Sequence, residues 1–328
     1  MKAKKILAFL MSAVLLMPAA AVSAVDAGAA DSEIAVNEEN FPDEIFCSYV
    51  SEYIDTDGNG SLSEEEITSC DRIELLSEAA ADLKGIEYFT NLTYLNCGYN
   101  KLKSLDVSRN TALTELYCNA NELTSLDIRK NTALTVLDCS CNGLTSLDVS
   151  KNTALTDLNC RINQLEKLKL SRNTELIKLD CGANLLTKLN LSKNTALTGL
   201  YCGANKLSEL DLSENTALSD LNCVGNRITS INVRNCAALK ALKCSNNQLA
   251  ELDVTGNSAL TELNCGNNQL RKLYVSENSE LVILYCSGNS LTWLNVSRNK
   301  KLKYLNCADN LLETPVLSEE QEFSFLNY

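Results

Sequence analysis

No histidine occurs in the 328 residues, and proline (3), methionine (3) and tryptophan (1) are almost as scarce. Without imidazole, a serine or cysteine nucleophile lacks its usual base, and a closed metal site loses its commonest ligand. No catalytic constellation is therefore expected; the carboxylates that recur in register, Asp106, Asp127 and Asp148, read as a solvated outward column rather than an acid/base pair. A basic stripe is also missing. Residues 25–70 carry 13 acids and no Lys or Arg, and from Asp71 onward 29 acids face 26 basic residues. Nucleic acid and anionic lipid are thereby disfavoured as partners. After residue 24 no apolar run approaches the length of a membrane span.

What is present begins with a secretory signal over residues 1–24: Lys2, Lys4 and Lys5, an apolar run from Ile6 to Met17, and Val22-Ser23-Ala24 as a small-residue cleavage site. The mature chain is expected to be secreted, or associated with the cell surface from outside. Residues 25–39, rich in Ala, Asp and Glu, read as a disordered acidic leader.

The dominant signal is a period of 21. Cysteine recurs from Cys97 to Cys307 in eleven successive repeats without an insertion, with Leu two positions before each and Asn three after, from Asn100 to Asn310. Fifteen cysteines in an exported chain would ordinarily suggest disulfides. Here the period argues otherwise. Residues that repeat once per coil stack about 4.7–5 Å apart with parallel Cα–Cβ vectors, whereas a disulfide needs converging Cβ atoms roughly 3.8 Å apart. The column therefore reads as buried thiols acting as small hydrophobes. A Cys47–Cys70 bridge is a lesser alternative to two further free thiols.

Within a repeat, Leu113-Thr-Glu-Leu116-Tyr-Cys118-Asn-Ala-Asn121-Glu-Leu123 spells LxxLxCxxNxL, and the second half repeats the idea as LxxLxIxxN through Leu126, Ile128 and Asn131. This resembles the leucine-rich repeat pattern over residues 92–310, in the nested-period form found in bacterial exported proteins. The expected fold is a repeat solenoid, a fairly straight rod of about 11 coils. Two short strands per coil are expected, Leu116-Tyr117-Cys118 and Leu126-Asp127-Ile128, with little helix and a continuous core of roughly 50 Å. Two asparagine columns should satisfy backbone groups at the turns; the second, from Asn110 to Asn299, is broken once by Cys236. Residues 71–91 read as a capping turn, and residues 311–328 as a cap folded over the last coil after Pro315.

Between leader and cap, residues 40–70 predict a helix capped by Asn40 that runs into Asp55-Thr-Asp57-Gly-Asn59-Gly60-Ser61-Leu62-Ser63-Glu-Glu-Glu66. The twelve residues resemble an EF-hand calcium loop. That resemblance implies Ca2+ as cofactor, held by the side chains of Asp55, Asp57 and Asn59, the carbonyl of Ser61 and the bidentate carboxylate of Glu66, with Ser63 reaching through water. Leu62 is the residue that normally pairs with a second hand, and no second loop exists in this sequence. The competing reading is a metal-free acidic turn with a Ser63–Glu66 capping box.

The outward strand positions change from coil to coil, as a recognition surface would. Aromatics gather near the C-terminal end: Tyr274 and Trp293 on the second segment, Tyr285 and Tyr304 on the first. The family resemblance implies protein interaction or adhesion to cells. Carbohydrate stacking on the aromatics, or a spacer with no site of its own, are the alternatives.

Overall fold

Why the repeat becomes a coil follows from which side chains cannot face water. Leu113, Leu116, Cys118, Leu123, Leu126, Ile128 and their equivalents over residues 92–312 pack into one core, all buried save Ile231 and Leu312, which are partly so. The computed structural model describes residues 33–76, 79–319 and 321–328, and places residues 33–328 in one unit. The secretory signal and the first part of the acidic leader lie outside the described residues.

Thirteen parallel strands form the main sheet, from Arg72–Glu74 through Tyr94–Asn96 to Phe325–Asn327, each paired with the next in register. Every strand is three residues long with its Leu or Ile inward, and in the cysteine-bearing coils the cysteine stands just past the strand rather than inside it. Two residues after each of these cysteines the backbone turns through a left-handed residue, such as Ala120 at φ 53° or Gly225 at φ 71°. The column asparagine follows immediately.

The solenoid exceeds the eleven cysteine coils at both ends. The expected capping turn contributes the strand Arg72–Glu74, and the expected C-terminal cap contributes Phe325–Asn327, where Leu326 continues the Leu305 column. Pro315 does not end the stack, because the chain first forms a bridge between Asn295 and Val316 and then returns to the sheet.

The second strand of each coil is a correction. Among the described residues a second ladder forms only between Glu209–Asp211 and Ser230–Asn232. Elsewhere this segment turns without laddering. Its Asp or Asn often bonds the amide two residues on, as Asp127 Oδ1 accepts from the Arg129 N–H at 3.1 Å. Asp211 makes the same bond inside the ladder, so that bond is not what separates the two.

The N-terminal end is filled by aromatic rings. Helix α1 spans Glu44–Tyr53 and α2 spans Glu64–Ser69. Phe41 packs edge-on to Phe46 at 5.7 Å and stacks on Phe89 at 6.5 Å. Asp43, not Asn40, caps α1: its Oδ1 accepts from the Ile45 and Phe46 N–H groups, while Oδ2 accepts from Ala81 and Asp82. Asn40 instead donates to the Ala35 carbonyl and accepts from the Tyr88 hydroxyl. Gly85 is required where it stands, since at φ 102° a Cβ would lie 2.4 Å from the Phe41 ring. The leader is shorter than expected: Ile34–Ala35 (β1) pairs antiparallel with Ser61–Leu62 (β2), and half-buried Ile34 and Val36 pack on the core.

The two asparagine columns work differently. In the first, Asn121 Nδ2 donates to the carbonyls of Cys97 (2.9 Å) and Cys118 (3.1 Å), while its Oδ1 accepts from the Leu102 N–H. In the second, Asn152 Nδ2 donates to Ile128 and Asn131 carbonyls, and its buried Oδ1 has no partner. Cys236 points its thiol at the same two acceptors, Leu212 O at 3.7 Å and Asn215 O at 3.5 Å.

Candidate functional site

The loop between α1 and α2 gathers charge without gathering countercharge. Asp55 follows the last turn of α1 and is 5% exposed; Gly58 and Gly60 turn the chain at φ 68° and 82°, bringing it back toward α2. As a result one carboxylate oxygen each from Asp55, Asp57 and Glu66 lies within 4.8 Å of the others. Asp55 Oδ2 accepts from the Gly60 N–H at 2.9 Å, but its buried Oδ1 has no hydrogen-bond partner. Carboxylates this close repel unless a cation or proton is shared among them.

Asn59 and Ser61 shape the loop: Asp57 Oδ1 accepts from the Asn59 N–H, and Asn59 Oδ1 from the Ser61 N–H at 2.7 Å. Glu66 is held from both sides. Its Oε1 accepts from the Thr56 amide and hydroxyl and its Oε2 from the Ser63 amide and hydroxyl, so the capping box forms. The Ser63 amide bond leads the causes that lower the Glu66 pKa from 4.5 to about 2. Leu62 is paired with β1, whose Ile34 lies opposite it. Sequence reading missed this partner because a two-residue strand carries no pattern of its own.

The four predicted aromatics fall into two groups. Tyr285 and Tyr304 lie on adjacent strands of the main sheet in different columns, Tyr285 opposite Asn306 and Tyr304 between Ile283 and Phe325. Tyr274 and Trp293 stand on the second segment, and both border one small depression. A further cluster escaped the sequence reading. At the N-terminal end of the sheet face the Arg72 guanidinium sits 3.5 Å above the Tyr94 ring, which lies 5.5 Å from Tyr117. Only the strand register, Arg72 beside Tyr94 beside Tyr117's own strand, reveals it.

The buried thiols are kept protonated. Desolvation pushes Cys97 up to about 12 and Cys118 well above its ordinary value. Cys47 and Cys70 are both free, and Cys141 is the exposed thiol among the described residues.

No protein-family model matches the chain. Over 71 residues, 22% of the chain, it is 41% identical to internalin J of Listeria monocytogenes serotype 4b (strain F2365), and the match spans 8% of that protein's length. The functional domain of InlJ from Listeria monocytogenes, which includes a cysteine ladder, is 34% identical with a TM-score of 0.69, over 87% of this chain and 73% of that one. An internalin from strain 4b F2365 of the same species, InlF, has a TM-score of 0.71 at 21% identity, over 86% of this chain and 93% of that one, a likeness of fold. The 21-residue cysteine column and the parallel single-strand coils carry the same conclusion: the chain belongs to the internalin-like leucine-rich repeat proteins of bacteria.

Proposed function

We propose that this is a non-enzymatic adhesion or protein-interaction module, exported to the medium or the cell surface, whose main sheet face docks a partner protein. One observation carries the reading. The inward position of each main strand is Leu or Ile throughout, whereas the two outward positions change at almost every coil, from Tyr94 and Asn96 to Lys178 and Asp180 to Ile283 and Tyr285. A purely structural rod would have no use for that variety on the exposed positions alone. Export rests on the signal-like residues 1–24, and no helix among the described residues is long and apolar enough to cross a membrane.

Docking is tested by adhesion of protein-coated beads to cultured cells. Protease treatment of the cells should abolish adhesion, and the double variant Tyr117→Asp/Tyr285→Asp should reduce it about tenfold by removing aromatic anchors. Adhesion indifferent to both would sink the proposal.

We also propose that the loop binds Ca2+ through Asp55, Asp57, Asn59, Ser61 and Glu66. The support is the buried, partnerless Asp55 Oδ1 beside two further carboxylates. Bound calcium supplies the positive charge that this cluster lacks, and binding to the folded state alone raises thermal stability. Calorimetry should detect calcium binding to the wild type and none to Asp55→Ala; heat traces that are equal for the two proteins would refute it.

A further inference from the structure

The repeat supplies its own control for judging an unusual surface residue, because each position has equivalents in the other coils. Trp293 stands in a column that from Ser104 to Lys272 holds only Ser, Lys and Glu. Tyr274 stands in the neighbouring column, which from Asp106 to Asp253 holds only Asp, Asn and Lys. Both rings are exposed, at 55% for Tyr274 and 51% for Trp293, although each had a polar template to follow. Two departures in adjacent coils, bordering one depression of about 80 Å3, make one feature rather than two.

Tyr274 also walls an open cleft of about 760 Å3 that crosses the preceding coil. Its polar lining mixes acceptors, Glu251 and Asp253, with donors, Arg271 and Lys272, and adds the Gln269 amide, which is both. Asp253 is fixed in aim by Thr255, whose amide and hydroxyl donate to its Oδ1.

We propose that this cleft binds a neutral oligosaccharide, with the Tyr274 and Trp293 rings as stacking platforms and the cleft side chains as hydroxyl partners. The argument is one of shape and charge. Carbohydrate hydroxyls donate and accept at once, so they match carboxylate, amide and guanidinium groups in one cleft, while the C–H faces of the sugar rings match flat exposed aromatics. In the cleft Glu251 and Asp253 balance Arg271 and Lys272, and Arg298 at the depression leaves a single excess positive charge, too little to select an anionic ligand. A peptide anchored by a large apolar side chain needs a pocket that holds it, and the depression bordered by both rings, about 80 Å3, is too small for one. The site lies off the main sheet columns, so protein docking there and glycan binding here fail independently.

Trp293 is the only tryptophan in the sequence, which makes its emission a local reporter. Wild-type protein is titrated with neutral tri- to hexasaccharides built from glucose, galactose, mannose and N-acetylglucosamine, and is tested in parallel on an array of the same sugars. At least one sugar should change the emission saturably, Tyr274→Ala should weaken that titration about tenfold or more, and Tyr285→Ala should leave it unchanged. On the array, Trp293→Ala should lose the signal with an unchanged thermal midpoint. The proposal is overturned if no sugar moves the emission or if the array signal survives Trp293→Ala.

Discussion

Two asparagine columns run the length of the solenoid, and they are not equivalent. In the first, each amide uses both ends: Asn163 donates to the Cys139 and Cys160 carbonyls and accepts from the Leu144 N–H. In the second, Asn173 donates to Val149 and Asn152 carbonyls while its buried oxygen bonds nothing. The difference teaches what each turn demands. The first turn leaves both carbonyls and an N–H to be met, so only an amide will serve; the second leaves carbonyls alone, so a donor suffices. Cys236 stands in the second column, where its S–H reaches the same pair of carbonyls.

The comparison can be broken by removing one member of each column. Asn121→Leu strips the Leu102 N–H of its partner inside the fold, and a bare buried donor with two lost carbonyl bonds should cost roughly 2–4 kcal/mol. Asn152→Leu removes two donations, but the Ile128 and Asn131 carbonyls keep their turn bonds from Asn131 and Leu134, and an unsatisfied oxygen disappears as well. The expected cost is about 1–2 kcal/mol. Urea denaturation of both variants measures the gap, and equal midpoints would erase the distinction between the columns.

A swap sharpens it further. Asn152→Cys and Cys236→Asn should each change stability by less than about 1 kcal/mol, because either side chain offers a donor to the same carbonyls. Asn121→Cys, by contrast, should approach the cost of Asn121→Leu, since a thiol gives the Leu102 N–H no adequate acceptor.

The smallest effect belongs to the N-terminal loop, where polar groups face water. The Glu66 carboxylate has its pKa lowered from 4.5 to about 2 by the Ser63 amide first, with Thr56 and the Ser63 hydroxyl adding to it. Its stabilisation is therefore fully present above about pH 4.5 and fades as pH falls toward 2. Solvent screens this partly exposed group, so Glu66→Gln should flatten the acid limb of the calcium-free melting curve only slightly. An unchanged acid limb would mean that the Glu66 charge adds nothing to stability beyond what an amide in the same capping box supplies.

The core of this design was legible because it repeats. Leu116, Cys118 and Ile128 announce their inward facing by period alone, and Asn121 and Asn131 announce the turns. What stayed hidden depended on a single occurrence or on which segments pair. Ile34–Ala35 is too short to signal a strand until Leu62 is beside it. Phe325–Asn327 was obscured because Tyr328 stands where the template has cysteine, although Leu326 keeps the register. The second segment reads as a strand by alternation, yet among the described residues it ladders only between Glu209–Asp211 and Ser230–Asn232. Of the candidate sites, the convergence of Asp55, Asp57 and Glu66 could be read from spacing, whereas the Arg72–Tyr94–Tyr117 cluster exists only once strands are laid side by side.

From Asn121 onward each first-column asparagine reaches back across a fixed sequence distance, to a carbonyl 24 residues earlier and an amide 19 residues earlier. The wiring is therefore blind to which coil it joins and strict about the count within a coil. At the level of the gene, unequal crossing-over that adds or deletes a whole repeat hands every asparagine an equivalent partner. A slip of one codon misplaces the hydrogen bonds of that coil and of its neighbour. Length is the property such a gene can change freely, and the surface columns lengthen or shorten with it.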